Sequence, residues 1–397
     1  MKKIIHFIFC CFCFVSHAQQ FETGKIIDSL SVTNSEDETF TLYLPTTYNS
    51  NEASPILFIF SPSGNGKKGV KTFIKSAEAY NHILICSNNS KNGSLERNLN
   101  IAQRLFNHAF SKFNILENRI YLAGFSGGAR LATAIASVSE QIEGVIACGA
   151  GFISAPNYIP SKQNFSYAGL CGDKDMNYQE MFDVNNYLNQ LKIHNTLFTF
   201  DGKHQWPPNS QLLMAFNWLE IEALKKGYLE KSKSKIKERY LNDFKKVKTI
   251  EKNNQLLMAS EHYDRILNTY NSFFNLDSVR QELQNIKKSK RYLNTLKVRE
   301  KAFEKEDALN TFFLNRFDKD YKNPKKTSLK WWEREFKKLK IQEAKANIQI
   351  VKMYERVRFN VFARVYATSK QQNTNRSQQQ HLFCESLISL VLSKKEQ

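Results

Sequence analysis

One serine of the chain stands between glycines in a setting typical of a catalytic nucleophile. Residues 124–128 read Gly-Phe-Ser-Gly-Gly, which fits the pattern G-x-S-x-G with Ser126 at its centre. The apolar run RIYLA precedes it and the alanine-rich run ARLATAIASV follows it, as expected for a strand and then a helix. A turn this tight brings the residues two before and two after the serine together, so both must be small. The pattern predicts that Ser126 is presented on a strand-to-helix turn as a nucleophile.

A serine hydroxyl is a weak nucleophile unless a base and an oriented acid accompany it. In the strand-turn-helix arrangement, the acid and then the histidine follow the serine along the chain. The histidines after Ser126 are His194, His204, His262 and His381. The last two lie in a different, helix-rich half, and His194 starts a run expected to be a strand. His204 lies in DGKHQWPP just beyond that run, so it is predicted to be the base, the alternative being a solvated loop histidine.

Two aspartates compete for the role of the acid. Asp173 and Asp175 both follow the apolar run YAGLCG, within the segment GDKDMN. Their distance from the strand end favours Asp175, and Asp173 stays open as the alternative. If Asp175 is the acid, Asp173 is interpreted as a surface partner of Lys174 or Arg130.

Backbone N–H groups near the serine are candidates for holding an oxyanion. The N–H of Gly127 directly follows the serine and opens the expected helix, whose N-terminus favours negative charge. A second donor is expected in the segment SPSGNGKKG after the third strand. Pro62 has no N–H, which leaves Ser63 or Gly64, with Ser63 preferred.

These segments resemble the α/β-hydrolase family, and within it the compact secreted esterases of the dienelactone-hydrolase and polyester-depolymerase type. The resemblance covers about residues 40–226 and rests on GFSGGA, GDKD and GKHQWP. The chain departs from the family in the oxyanion loop, where Ser61-Pro62 stands in place of the common His-Gly. The resemblance implies an esterase acting on a small acyl ester or an ester-decorated glycan.

The resemblance also implies the role of each residue. Ser126 attacks the ester carbonyl, His204 takes and returns the proton, and Asp175 orients His204. Gly127 and Ser63 hold the oxyanion of the acyl-transfer step. Two other functions stay open: a catalytically weak binding or scaffold protein, suggested by the unusual oxyanion loop, and a serine peptidase using the same triad.

The first half of the chain alternates between two kinds of segment, and this predicts its fold. Apolar runs of strand length are separated by stretches with helical periodicity, such as those at 95–113, 178–192 and 209–226. The apolar runs are FTLYLP (40–45), PILFIF (55–60), HILICS (82–87), RIYLAG (119–124), EGVIACG (143–149), YAGLCG (167–172) and TLFTF (196–200). This alternation predicts an α/β fold with a doubly wound, mainly parallel sheet.

Charge and glycine content change together near residue 227. Up to Lys226 the chain has 19 Lys and Arg against 18 Asp and Glu, and from Gly227 onward it has 38 against 20. All 15 glycines lie at or before Gly227. We therefore expect a catalytic domain over 19–227 and an all-α domain over 228–397, the latter weakly similar to tetratricopeptide-like helical tails of exported hydrolases.

The basic character of the second half suggests a partner for it. Charge runs on helices are most often solvated faces, and no nucleic-acid-binding signature is present, so nucleic acid is not an expected partner. A docking surface for a protein or an anionic glycan is the functional hypothesis for this half.

The first 18 residues have the layout of a secretory signal peptide. Two lysines precede an apolar run, and Ser16-His17-Ala18 predicts cleavage after Ala18. Export to the periplasm or the extracellular space is therefore expected, with no transmembrane span. Cleavage would leave four cysteines, expected to be buried free thiols: Cys86, Cys148, Cys171 and Cys384. No Cys/His spacing of a metal site is present, and no metal or cofactor is expected.

Overall fold

An eight-stranded sheet forms the first half of the molecule. The computed structural model describes residues 21–371 and 377–392, so the predicted signal peptide lies outside the described residues. The strands are β1 (Ile26–Ser31), β2 (Thr39–Tyr43), β3 (Ser54–Phe60), β4 (Ile83–Ser87), β5 (Ile115–Phe125), β6 (Gly144–Cys148), β7 (Ser166–Gly172) and β8 (Asn195–Phe200). Their order in the sheet is β1-β2-β4-β3-β5-β6-β7-β8.

The strands that carry the buried apolar runs are parallel. β3 to β8 pair with one another in parallel, whereas β2 pairs antiparallel with both β1 and β4. All residues of β3 are buried, because its side chains alternate between two cores: Phe58 belongs to one and Ile59 to the other. A strand buried on both faces needs helices on both sides of the sheet.

Five helices cover the sheet. Two of them pack on one face and the other three contribute to the core of the opposite face. The first two are α1 (Gly66–Tyr80) and α5 (Asn209–Lys225), and the other three are α2 (Leu95–Lys112), α3 (Gly127–Val138) and α4 (Tyr178–Gln190). The predicted doubly wound, mainly parallel α/β sheet is confirmed.

The second half of the described chain is helical, as predicted. Its helices are α6 (Lys233–Lys252), α7 (Leu256–Tyr270), α8 (Asp277–Lys288), α9 (Lys290–Lys322), α10 (Lys326–Glu343), α11 (Ile348–Lys370) and α12 (Gln378–Leu392). One apolar cluster joins α6, α7 and α8, and a second joins α9 to α12. Ile221 and Leu224 of α5 belong to the first of these clusters, so one helix packs in both halves. The boundary between 227 and 228 stays a prediction.

The helical half covers the free edge of the sheet at β8. The Arg265 guanidinium on α7 donates to the Thr196 hydroxyl at 3.0 Å and to the Leu197 carbonyl at 2.8 Å. The Thr199 hydroxyl donates to Glu261 of the same helix at 2.7 Å. Polar groups on the last strand are thus satisfied by a helix from the second half.

Two further expectations concern burial and membrane spans. The four thiols expected to be buried each have an exposed fraction of 0%: Cys86, Cys148, Cys171 and Cys384. Across residues 21–371 and 377–392, no helix combines the length and the apolar character needed to span a bilayer.

Candidate active site

Ser126 lies on a strained turn between β5 and α3. Its backbone has φ 53° and ψ −120°, a conformation that is costly for a residue with a side chain and is typical of functional sites. The neighbouring glycines make this turn sterically possible. A Cβ on Gly124 would lie 2.2 Å from the carbonyl oxygen of Gly128, and one on Gly128 would lie 2.0 Å from that of Phe60. The G-x-S-x-G spacing is therefore required by backbone contacts.

His204 lies within hydrogen-bonding distance of the serine. Its Nε2 is 3.0 Å from the Ser126 Oγ, and its Nδ1 is 2.9 Å from both carboxylate oxygens of Asp175. The His204 side chain is only 9% exposed. An aromatic ring from β5, that of Phe125, lies 4.6 Å from the imidazole between centroids. The structure therefore brings together three residues that are 78 and 29 positions apart in sequence.

Asp175 is held by its own loop. Its side chain is 1% exposed, and its Oδ1 accepts a hydrogen bond from the Asn177 backbone N–H at 2.9 Å. The Asn177 side chain in turn donates to the carbonyl of Gly149 at 2.7 Å. The acid and base loops are tied together directly, because the N–H of Lys174 donates to the Gly202 carbonyl at 2.8 Å. The carboxylate is thus fixed where it can orient an imidazole.

Asp173, the alternative acid, has a different environment from the one expected. It is 5% exposed and contacts the ammonium of Lys352 on α11. Its interpretation as a surface partner of Lys174 or Arg130 is wrong: Lys174 pairs with Asp201, and Arg130 pairs with Glu180. Burial raises the pKa of Asp173, while the charge and hydrogen bond of Lys352 oppose that rise.

The two residues predicted to hold an oxyanion lie in different surroundings. Gly127 is the first residue of α3 and lines a cavity beside Ser126. Ser63 is exposed and forms a backbone bridge with Lys91. Its hydroxyl lies 3.2 Å from that of Ser61, and Ser61, not Ser63, lines the cavity. The role of Ser63 stays a prediction.

The cavity beside Ser126 has a volume of about 360 Å³. More than half of the side chains around it are polar or charged, and its wall also includes the glycines of the turn. The lining residues are Ser61, Ser90, Lys91, Asn92, Gly93, Leu95, Asn98, Ser126, Gly127, Gly128, Arg130, Leu131, Ile153, Met176 and Asn177. Residues 90–93, which follow β4, form one side of it.

Two aromatic residues near the site, Trp206 and Tyr158, do not line this cavity. Trp206 packs its ring 5.3 Å from that of Phe125, and Tyr158 lies in a short 3-10 helix, Pro156–Tyr158. Asn92 lies close to the turn, because its Oδ1 would be 2.0 Å from a Cβ on Gly127. The sequence reasoning missed Phe359 of α11, whose ring lies 5.4 Å from that of His204. Phe359 belongs to no motif that could have indicated it.

Comparisons with known proteins find similarity only at the level of solved structures. No family model matches the chain, and no curated protein matches it. An S-formylglutathione hydrolase from Staphylococcus aureus is 15% identical, with a TM-score of 0.41 over 49% of this chain and 95% of that one.

Esterases are also among the solved structures that are similar. Esterase 2 of Thermogutta terrifontis, phosphonylated by sarin, is 11% identical, with a TM-score of 0.42 over 53% of this chain and 98% of that one. A ferulic acid esterase is 17% identical, with a TM-score of 0.39 over 49% of this chain and 97% of that one. At this level of similarity, a functional proposal has to rest on the geometry of the site.

Proposed function

We propose that the protein is a serine hydrolase that cleaves carboxylic esters through an acyl-enzyme, with Ser126, His204 and Asp175 as its triad. The observation that carries this proposal is the continuous line of contacts from the Ser126 hydroxyl through both ring nitrogens of His204 to Asp175, at 3.0 and 2.9 Å. The strained backbone of Ser126, which costs stability, supports the same conclusion.

The geometry supports a two-step mechanism. The Ser126 Oγ forms a bond to the ester carbonyl carbon while His204 Nε2 accepts the hydroxyl proton. Asp175 accepts a hydrogen bond from Nδ1–H and stabilises the imidazolium that forms. The C–O bond of the ester then breaks, and His204 returns the proton to the departing alcohol. A water molecule then attacks the acyl carbon while His204 accepts its proton. The bond to the Ser126 Oγ breaks, His204 returns the proton to Ser126, and the carboxylic acid product leaves.

We propose that the oxyanion is held by the N–H groups of Gly127 and Ser63. The position of Gly127 at the start of α3 supports its role, because the first N–H groups of a helix have no partner within it. Removal of one such donor costs about a hundredfold or more in kcat in serine hydrolases. The proposal for Ser63 requires the segment after β3 to turn its N–H toward the cavity.

The cavity supports a polar ester as substrate. Lys91, Asn92, Asn98 and Asn177 are among its lining residues, and such amide and ammonium groups can bind hydroxyl or carboxylate groups of an alcohol moiety. A second cavity, of about 690 Å³, shares Arg130 and Ile153 with the first. We therefore propose a small acyl group on a polar alcohol, an ester-decorated glycan being one such compound.

A fluorophosphonate probe and an ester panel test this function. The wild-type protein is expected to be labelled on Ser126 and to hydrolyse short-chain esters faster than long-chain ones. Ser126→Ala should be neither labelled nor active, with an unchanged thermal unfolding midpoint. Equal labelling of both proteins would refute the proposal, and faster cleavage of peptides than of esters would replace it with a peptidase.

Two further parts of the proposal lie outside the site. The segment from Met1 to Ala18 supports export to the periplasm or the extracellular space. The excess of Lys and Arg after Gly227 supports an acidic protein or an anionic glycan as the partner of the helical half. N-terminal sequencing of the secreted protein tests the first part, and binding to acidic glycans at increasing salt tests the second.

A further inference from the structure

One face of α11 lies against both loops of the proposed triad. The residues at helical spacing i, i+3, i+4 and i+7 are Lys352, Glu355, Arg356 and Phe359. Each of them contacts the segment around Asp175 or the segment around His204. Four residues on one face of α11 therefore contact the two loops of the proposed triad.

The acid loop is held by two cations of this face. Lys352 contacts the carboxylate of Asp173, and Arg356 donates from Nη1 to the carbonyl oxygen of Asp173 at 2.8 Å. Asp173 is two residues before Asp175. Both the side chain and the backbone of the acid loop are thus fixed by α11.

The Arg356 side chain is itself fixed by a buried ion pair with α9. Its side chain is 2% exposed, and its Nε and Nη2 donate to Glu306 of α9 at distances from 2.6 to 3.0 Å. Glu306 is also 2% exposed. A bidentate pair of this kind fixes the plane of the guanidinium, which leaves Nη1 directed at the Asp173 carbonyl. The position of the acid loop therefore depends on the packing of α9 against α11.

The base loop is contacted by the other two residues of the face. The ring of Phe359 lies 5.4 Å from that of His204, and Glu355 lies 3.2 Å from the ammonium of Lys203, the residue before His204. Together with Phe125, Phe359 leaves little of the imidazole accessible to solvent. Excluding water strengthens the electrostatic interactions of the triad.

We propose that α11 is a structural part of the active site, with Phe359, Arg356 and Lys352 as positioning residues that fix the base and the acid. This inference rests on the proposed triad and extends it to the helical half. A displacement of about 1 Å in a catalytic group can cost about a hundredfold in rate. The helical half thus sets the activity of the hydrolase through α11, in addition to any partner that it binds.

Phe359 gives the first test, in the full-length protein. Phe359→Ala is expected to lower kcat and the rate of fluorophosphonate labelling by about tenfold to a hundredfold, with KM changed less than about threefold. Phe359→Leu, which keeps an apolar cover, should recover most of the rate. The matched control is Phe336→Ala: Phe336 is also half-buried on a helix of this half, and its ring contacts those of Phe313 and Trp332. The Phe336→Ala substitution should lower the thermal unfolding midpoint and leave kcat within about threefold of wild type.

Lys352 gives the second test, by rescue. Lys352→Met leaves the buried Asp173 carboxylate without its cation and is expected to lower kcat about tenfold. Adding Asp173→Asn removes the unpaired charge and should bring kcat back to within about threefold of wild type. Thermal unfolding midpoints of both variants separate an effect on kcat from a loss of stability, and failure of Asp173→Asn to restore kcat in the Lys352→Met background would contradict the role of Lys352.

The outcomes separate this inference from the proposed function. If wild type is labelled on Ser126 and Phe359→Ala is labelled equally fast, the inference is wrong and the hydrolase stands. Equal loss of kcat in Phe336→Ala and Phe359→Ala would also overturn it, because any weakening of the helical half would then suffice. If the wild-type serine is not labelled at all, the proposed function and the inference both fail.

Discussion

The exchange of one carboxylate for an amide, made separately at Asp175 and Asp173, distinguishes the two candidate acids. Asparagine at 175 keeps the oxygen that accepts from the Asn177 N–H at 2.9 Å, so the loop is expected to fold. An amide facing His204 Nδ1 can donate to it, which favours the tautomer with the proton on Nε2. That nitrogen then cannot accept the proton of Ser126.

The magnitude follows from what each carboxylate contacts. Asp175 has both oxygens at 2.9 Å from Nδ1, so Asp175→Asn is expected to lower kcat by about a thousandfold to ten-thousandfold. This corresponds to about 4 to 5.5 kcal/mol of transition-state stabilisation. Asp173→Asn keeps its backbone carbonyl for Arg356 and an amide oxygen for Lys352, so kcat is expected to fall less than about tenfold.

Initial rates with short-chain p-nitrophenyl esters, for both variants and wild type, measure the effect. Thermal unfolding midpoints of the variants provide the folding control. The reasoning is refuted if Asp173→Asn loses as much activity as Asp175→Asn while both remain folded. A loss of less than about tenfold in Asp175→Asn would equally contradict the assignment of the acid.

Three further predictions concern the fold. Gly124→Ala places a Cβ 2.2 Å from backbone atoms of Gly128, so a loss of about 3 kcal/mol or more in the free energy of unfolding is expected in urea titrations; a near-neutral effect would contradict the close approach. Burial, with the nearby charge of Arg119, lowers the pKa of His82 to about 3. Between pH 6 and 4 the imidazole is therefore protonated in the unfolded state but not in the folded state. As the pH is lowered through this range, the free energy of unfolding of wild type should fall by about 1.4 kcal/mol per pH unit more than that of His82→Gln; equal slopes would contradict this. Burial raises the thiol pKa of Cys86 and Cys148, so a thiol reagent should react only after unfolding, with four thiols per chain if cleavage follows Ala18 and seven if it does not.

The parts of the fold that follow local rules were predictable from the sequence. The run at 55–60 predicts β3, and the structure gives Ser54–Phe60 with every residue buried. Side chains buried on both faces leave an apolar run with no alternation, and such runs are visible in a sequence. The turn at Ser126 was visible for a similar reason, since the small residues that it needs lie within two positions of the serine.

The edge strand β1 was not predicted, because it lacks such a signal. Its residues are half-buried or exposed, Ser29 has a positive φ of 57°, and the register with β2 shifts within the strand. An irregular edge strand exposed to solvent carries neither an apolar run nor a clean alternation. The start of α5 also lacks a local signal, because its N-cap is Pro208, with no side-chain hydrogen bond.

The relation between the two halves was beyond the sequence, because the residues that join them resemble an ordinary solvated face. Lys352, Glu355 and Arg356 are charged residues on a basic helix, and such runs usually face water. In the structure Arg356 is 2% exposed and contacts a residue 183 positions away. Periodicity shows which residues share a face of a helix, but not which distant loop that face contacts.

The covering of β8 is one structural reason for the packing of the helical half against the α/β half. An uncovered edge strand offers unpaired backbone groups to other chains, and proteins avoid this by covering or charging the edge. Here Arg265 is buried, with its guanidinium 4.0 Å from the Phe198 ring centroid and hydrogen bonds to Thr196 and to the Leu197 carbonyl. Burial lowers its pKa to about 10, so the group stays charged at neutral pH. Because β8 leads directly into the His204 loop, the same packing that protects the edge also fixes the strand from which the proposed base extends.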